Sequence, residues 1–227
     1  MRKKVVVFDL DDTLYKEIDF LKSGYRKVAE LVAKQYGCDA RAVYDQLHKW
    51  YYNGVNAFAR LNEEYGFGNP INEYLDIYRY HHPTITLSDE TKDTLSKLKE
   101  EDVVLGIITD GREITQKQKV EALGLEEWIP LDMVEINEDK KYFKPNHWSY
   151  DRITLKCYEK YPDNEFVFYY VGDNTEKDFK APNQLGWTSI CLLDDGKNIH
   201  KQNFNVAEEF LPKYRIKNII ELLDYIR

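Results

Sequence analysis

Val5-Val6-Val7-Phe8-Asp9-Leu10-Asp11-Asp12-Thr13-Leu14 joins an uninterrupted apolar run to a knot of carboxylates. β-Branched and aromatic residues in succession suit a strand covered on both faces, as at the centre of a parallel α/β sheet. Ligands bind outside the carboxyl ends of such strands. Asp9 and Asp11, two positions apart, project to the same side of an extended chain. Two neighbouring carboxylates are costly to keep ionised without a cation between them, which points to a hard divalent metal, Mg²⁺ foremost.

Three later segments repeat this design. Val103-Val104-Leu105-Gly106-Ile107-Ile108-Thr109-Asp110-Gly111 reads as a second central strand. Thr109 offers a hydroxyl donor, and the turn at Asp110 and Gly111 directs backbone N–H groups at the start of the next helix, Arg112 to Leu123, toward an anion. Taken by itself, Thr109 could equally serve as the cap of that helix. Lys144-Pro145 follows the apolar stretch Met133 to Ile136, and Pro145 in a first helical turn would leave Lys144 at the threshold. A solvated run with Lys140 and Lys141 is the ordinary alternative. The fourth segment, Phe166-Val167-Phe168-Tyr169-Tyr170-Val171-Gly172-Asp173-Asn174-Thr175-Glu176-Lys177-Asp178, is a strongly apolar strand with a sharp exit at Gly172. It hangs Asp173 at its carboxyl end, and capping of a helix beginning near Glu176 would account for Asp178 alone.

Asp9-Leu10-Asp11-Asp12-Thr13, Thr109-Asp110-Gly111, Lys144-Pro145 and Gly172-Asp173 with Asp178, in that order, resemble the four signatures of the haloacid dehalogenase superfamily in its phosphatase branch. The resemblance spans essentially the whole chain. It implies a Rossmann-like three-layer α/β sandwich with a mostly parallel central sheet and an inserted all-helical cap. It also implies that Asp9 is the nucleophile that becomes an aspartyl-phosphate, and that Asp11 is the acid and then the base. Asp11 must then start protonated, a state that neighbouring negative charge favours. Mg²⁺ would be held by Asp9, by Asp11 through its backbone carbonyl, and by Asp173, with Asp178 ligating through water or orienting Lys144. Thr109, Asp110, Gly111 and Lys144 would cradle the phosphoryl group. Family members that cleave carbon–halogen or carbon–phosphorus bonds lack an Asp where Asp11 stands, so its presence favours phosphate esters. The expected function is Mg²⁺-dependent hydrolysis of the phosphate monoester of a small metabolite, a sugar phosphate or a nucleoside monophosphate. A phosphosugar mutase is the nearest competitor. A non-catalytic phosphoryl-binding regulator of the receiver type is a second, disfavoured by the chain length and the helical insertion.

Global properties agree. The chain has 227 residues and a formal net charge of −8, which argues against non-specific nucleic-acid binding. Three widely spaced cysteines, Cys38, Cys157 and Cys191, indicate neither a disulfide framework nor a zinc cluster. With no apolar stretch of secretory or membrane-spanning length, a cytoplasmic protein without membrane partners is expected, as a monomer or weak homodimer. Apolar residues at helical spacing between Ile18 and Tyr80 divide the chain into core (1–16), helical cap (17–84) and core (85–227). The resemblance implies that this insertion is a mobile cap, with hinges near Tyr15 to Glu17 and Pro83 to Leu87. A helix over Ser88 to Glu100 resumes the core, and a last helix ends near Leu223. The cap aromatics, Trp50, Tyr51, Tyr52, Phe58, Tyr65 and Phe67, read as packing rather than as a stacking platform. His81-His82 lacks a spaced third ligand.

Overall fold

A computed structural model of the protein describes residues 2–226. The chain folds as two compact units, Met1–Glu17 with Thr86–Arg227, and Ile18–Ile85. The first is built on a six-stranded sheet of order β3-β2-β1-β4-β5-β6. Its strands are β1 (Arg2–Phe8), β2 (Val104–Asp110), β3 (Val134–Asn137), β4 (Glu165–Gly172), β5 (Thr188–Leu192) and β6 (Tyr214–Ile216), and every neighbouring pair is parallel. This is the α/β class that the sequence indicates.

The order follows from which strands tolerate burial on both faces. Val5, Val6, Val7 and Phe8 are fully buried, as are Ile107 and Ile108 of β2 and Tyr170 and Val171 of β4. Each such side chain contributes about 1.5–3 kcal/mol. Register pairs Phe8 with Ile107 on one side and with Val171 on the other, so β1, β2 and β4 end at one level. The chain runs outward from β1 to β2 and β3, then returns past β1 to β4, which makes the carboxyl edge of β1 and β4 a topological switch point.

Helices α5 (Asp89–Glu100), α6 (Glu113–Ala122), α7 (Trp148–Lys160) and α8 (Lys180–Gln184) connect the strands. In α5 the Ser88 side chain caps the Thr91 N–H, Asp89 and Glu90 occupy the first turn, Lys97 and Lys99 the last, and Leu95 and Leu98 are fully buried. Two alternatives and two local expectations are corrected. Thr109 lies inside β2 rather than at a cap, the position before α6 being Arg112. Lys144-Pro145, a cis peptide, sits in the turn before α7, which starts only at Trp148. The segment after Asp173 is a turn, with α8 beginning at Lys180 instead of near Glu176. The final helix is a 3₁₀ segment, Ile219–Asp224.

The second unit is all helical: α1 (Glu17–Tyr36), α2 (Ala40–Tyr52), α3 (Ala57–Tyr65) and α4 (Ile71–Tyr80). Asp39 and Asn56 cap α2 and α3 through their side chains, and Gly66 closes α3 in the left-handed region at φ 67°. Val28, Val32, Val43, Leu47, Leu61 and Tyr74 form its core; Trp50, Phe58 and Phe67 are buried with them, whereas Tyr52 is exposed. His81 is a structural residue, bonded to Ser23 Oγ and the Tyr78 carbonyl. Among the described residues, no helix is long and apolar enough to cross a membrane.

Candidate active site

Asp9 emerges where β1 ends, its N–H bonded to the Val171 carbonyl at 2.8 Å, so the backbone of β4 fixes its position. The side chain is buried, and its Oδ1 accepts from Lys144 Nζ. No donor among the described residues reaches Oδ2. Lys144 Nζ also meets Asp178 Oδ1 at 2.8 Å and donates to the Tyr170 hydroxyl at 3.0 Å, and the lysine side chain is wholly buried. Asp178 spends its other oxygen on the N–H groups of Asp173 (3.2 Å) and Asn174 (2.8 Å), tying the exit of β4 to the lysine. Gly172 is required here, since a Cβ at that position would stand 2.6 Å from Asp178 Oδ2.

Carboxylate oxygens of Asp9, Asp173 and Asp178 lie within 4.8 Å of one another. Burial and the charge of Lys144 compete at Asp9, leaving its carboxyl pushed up to about 6. Asp173 is pushed up to about 9, by burial first and then by Asp178 and Asp9. Asp178 stays below the usual range despite burial, because Lys144 faces it. Burial opposes charge on Lys144, yet Asp178 and Asp9 hold it firmly protonated. Asp9 and Asp173 are thus the carboxyls whose charge the chain's own cations compensate least. Such a set suits a hard divalent cation.

Asp11 departs from expectation. Its Oδ1 accepts from the Tyr15 hydroxyl (2.5 Å) and Lys119 Nζ (2.7 Å), and its Oδ2 from Gln116 Nε2 (3.0 Å). Burial would raise its pKa, but Lys119 and the two neutral donors outweigh burial and hold the carboxyl below the usual range. A buried lysine from α6 thus favours the charged form of Asp11, opposite to the protonated start that the resemblance implies.

Gln116 Nε2 also donates to Thr109 Oγ1 at 2.5 Å, which leaves the Thr109 hydroxyl hydrogen to donate elsewhere. Gly111, at φ 148°, passes close to Gln116, whose side chain would sit 3.3 Å from a Cβ. The Gly111 N–H bonds the Asn137 carbonyl at 2.8 Å, so that amide is already engaged. The Asp110 carboxylate accepts from the Lys144 N–H (3.2 Å) and from Asn137 Nδ2 (2.9 Å), and so anchors the lysine turn. Asp12, at φ 57°, takes the Glu17 and Ile199 N–H groups on its two oxygens, both at 2.9 Å.

A cavity of about 230 Å³ opens above these groups, lined by Asp11, Lys144 and Asp173 together with Glu17, Lys177 and His200. Sequence reasoning missed the last three, as well as Tyr15, Gln116, Lys119 and Asn198, whose Nδ2 donates to Asp173 Oδ2 at 2.8 Å. A signal did exist for Gln116 and Lys119. The α6 segment Glu113–Ala122 offers few apolar residues, so the face it buries has to carry polar ones.

A doubly wound parallel sheet with a carboxylate and lysine cluster at its switch point defines a Rossmann-like α/β protein with a candidate active site. Residues 6–192 match the haloacid dehalogenase-like hydrolase family, and the chain belongs to it. A glyceraldehyde 3-phosphate phosphatase of Methanocaldococcus jannaschii is 27% identical over 99% of this chain and 97% of its own. One of Pyrococcus furiosus is 28% identical over 83% and 80%. Among solved structures, a HAD phosphatase from Thermococcus onnurineus (TM-score 0.58, 19% identity, 98% and 97% covered) has the same fold. So does the HAD-hydrolase YfnB from Bacillus subtilis bound to magnesium (0.63, 20%, 100% of both).

Proposed function

We propose that the protein is a Mg²⁺-dependent phosphatase that hydrolyses the phosphate monoester of a small sugar, of the size of glyceraldehyde 3-phosphate, through an aspartyl-phosphate. The observation that carries this reading is Asp9, with Lys144 on one carboxylate oxygen and no donor among the described residues on the other, within 4.8 Å of Asp173, which lines a small cavity. The name shared by the relatives in Methanocaldococcus jannaschii and Pyrococcus furiosus supports the choice of sugar.

Asp9 Oδ2 is the oxygen free to attack phosphorus, while Lys144 keeps Oδ1 neutralised and the carboxylate oriented. The phosphorus–oxygen bond to the sugar breaks, and the departing oxygen takes a proton from Asp11. Asp11 takes up that proton from solvent beforehand, an uptake favoured by the negative charge that an arriving phosphate dianion adds beside it. In the second step water attacks phosphorus, gives its proton to Asp11, and inorganic phosphate leaves with Asp9 restored. The Thr109 hydroxyl and Lys144 act on the peripheral phosphoryl oxygens. Asp9, Asp173 and the Asp11 backbone carbonyl would hold the metal, with Asp178 reaching it through water at most, since both its oxygens are engaged. When bound, Mg²⁺ supplies charge neutralisation between nucleophile and phosphate.

The test is phosphate release from a panel of triose, hexose and nucleoside phosphates, with Mg²⁺ or chelator, for wild type and Asp9→Asn. Metal-dependent turnover that Asp9→Asn abolishes, fastest on the three-carbon esters, supports the reading. Turnover that survives in Asp9→Asn sinks the covalent mechanism.

A further inference from the structure

We infer that Lys119 and Gln116, on the inward face of α6, are positioning residues that aim Asp11 at the leaving oxygen and couple it to Thr109. The inference rests on the phosphatase reading and adds residues that the four sequence signatures do not contain.

Lys119 and Gln116 are buried, at 3% and 2% exposure, on a helix that also buries Thr115 and Val120. A lysine and a glutamine inside a core are costly unless their polar atoms are satisfied. Lys119 meets Asp11 Oδ1 and Gln116 meets Asp11 Oδ2, so both carboxylate oxygens are gripped from one helix, with Tyr15 as a third donor on Oδ1. Gln116 uses the same Nε2 to reach Thr109 Oγ1. One amide therefore touches both the residue that exchanges the proton and the residue that contacts the phosphoryl group.

The lone pairs then specify the atom. An ionised carboxylate offers about two acceptor sites on each oxygen. Among the described residues Oδ1 receives two donors and Oδ2 one, so Oδ2 is the oxygen with an open site. The proton passed to the leaving oxygen, and later taken from water, sits at Asp11 Oδ2. Without Lys119 the carboxylate keeps only the Tyr15 hydroxyl on Oδ1 and is aimed less firmly, and without Gln116 both Asp11 and Thr109 lose their common reference.

Leaving groups of different basicity separate positioning from general damage. A sugar alkoxide needs the proton from Asp11, whereas 2,4-dinitrophenolate departs without it, and kcat/KM reports the step in which that group leaves. For Lys119→Met and for Gln116→Leu, kcat/KM on a three-carbon sugar phosphate is expected to fall by about 100-fold or more, the usual scale of general acid catalysis. On 2,4-dinitrophenyl phosphate it is expected to fall less than about tenfold, the same split that Asp11→Asn gives as a reference. Lys119→Arg recovers part of the sugar-phosphate rate. Equal losses on both esters, or no loss on either, overturn the inference, and the second variant guards against one that misfolds. Wild type inert on both esters overturns the phosphatase reading and this inference with it. Wild type active on both, with unsplit variants, overturns the positioning role alone.

Discussion

A buried ammonium that holds two carboxylates is hard to replace, and Lys144 is the clearest case in this chain. Its side chain has no exposed surface, and it faces both Asp9 and Asp178. Lys144→Met leaves two buried anions without their cation, and breaking a buried pair in this way costs about 3–5 kcal/mol. Urea denaturation reads that loss, and assays at a temperature where the variant remains folded should show turnover down by about 10²-fold or more. Gly172→Ala tests the same cluster from the backbone. Its new Cβ would lie 2.6 Å from Asp178 Oδ2, so the carboxylate must leave the Asp173 and Asn174 amides. The expected cost is about 1–3 kcal/mol, with a fall in kcat because Lys144 loses its second anchor. An unchanged midpoint in urea would mean that Asp178 relocates freely and does not brace the lysine.

At the scale of elements, the loop after β5 acts as a strap. Asn198 holds Asp173 Oδ2, Gln202 Nε2 donates to the Asp173 carbonyl at 2.8 Å, and the Ile199 N–H reaches Asp12. Lys16 Nζ pins the strap from the other side through Asn198 Oδ1 at 2.8 Å. Partners that orient a metal ligand typically matter by 10–100-fold in metal affinity. Asn198→Ala should therefore raise the Mg²⁺ concentration needed for half-activation by about tenfold or more, with kcat at saturating Mg²⁺ largely kept; an unchanged Mg²⁺ requirement removes the strap from the metal site. This loop also marks where sequence reading stops. The strands β1, β2 and β4 are continuous apolar runs ending in polar residues, so their class and the positions of Asp9, Thr109 and Asp173 at strand ends are legible from composition alone. Lys119 and Gln116 lie more than a hundred residues from Asp11, and Asn198 lies 25 from Asp173 on a segment with no periodicity. Their partners are set by how α6 and the strap pack, which no local pattern encodes. The downward pull on the Asp11 carboxyl is illegible for the same reason: the sequence shows the neighbouring carboxylates but not the buried lysine opposite.

For the whole molecule, the consequence is a stability that depends on pH and metal together. The chain carries a formal net charge of −8, and its least compensated carboxylates are gathered at one sheet edge. Asp173 rises from the usual 3.8 to about 9 on folding and Asp9 to about 6. Between those limits the folded protein binds protons that the unfolded chain has released. The metal-free fold therefore loses stability as pH climbs through that window, with the Asp9 contribution confined to its lower end. A divalent cation held by the same carboxylates replaces those protons and reverses the loss, and it competes with them where they are abundant. Ligand present at 100 times its dissociation constant adds about 2.7 kcal/mol, which is about 5–10 °C in Tm for a protein of this size. Thermal unfolding with and without Mg²⁺ at pH 5.5 and pH 8 should accordingly show a Tm gain at the higher pH and a smaller one at the lower. Asp173→Asn, which removes one of the crowded charges, should flatten the metal-free pH dependence and abolish most of the Mg²⁺ gain. A gain equal at both pH values, or one that survives in Asp173→Asn, would place the cation away from Asp9 and Asp173.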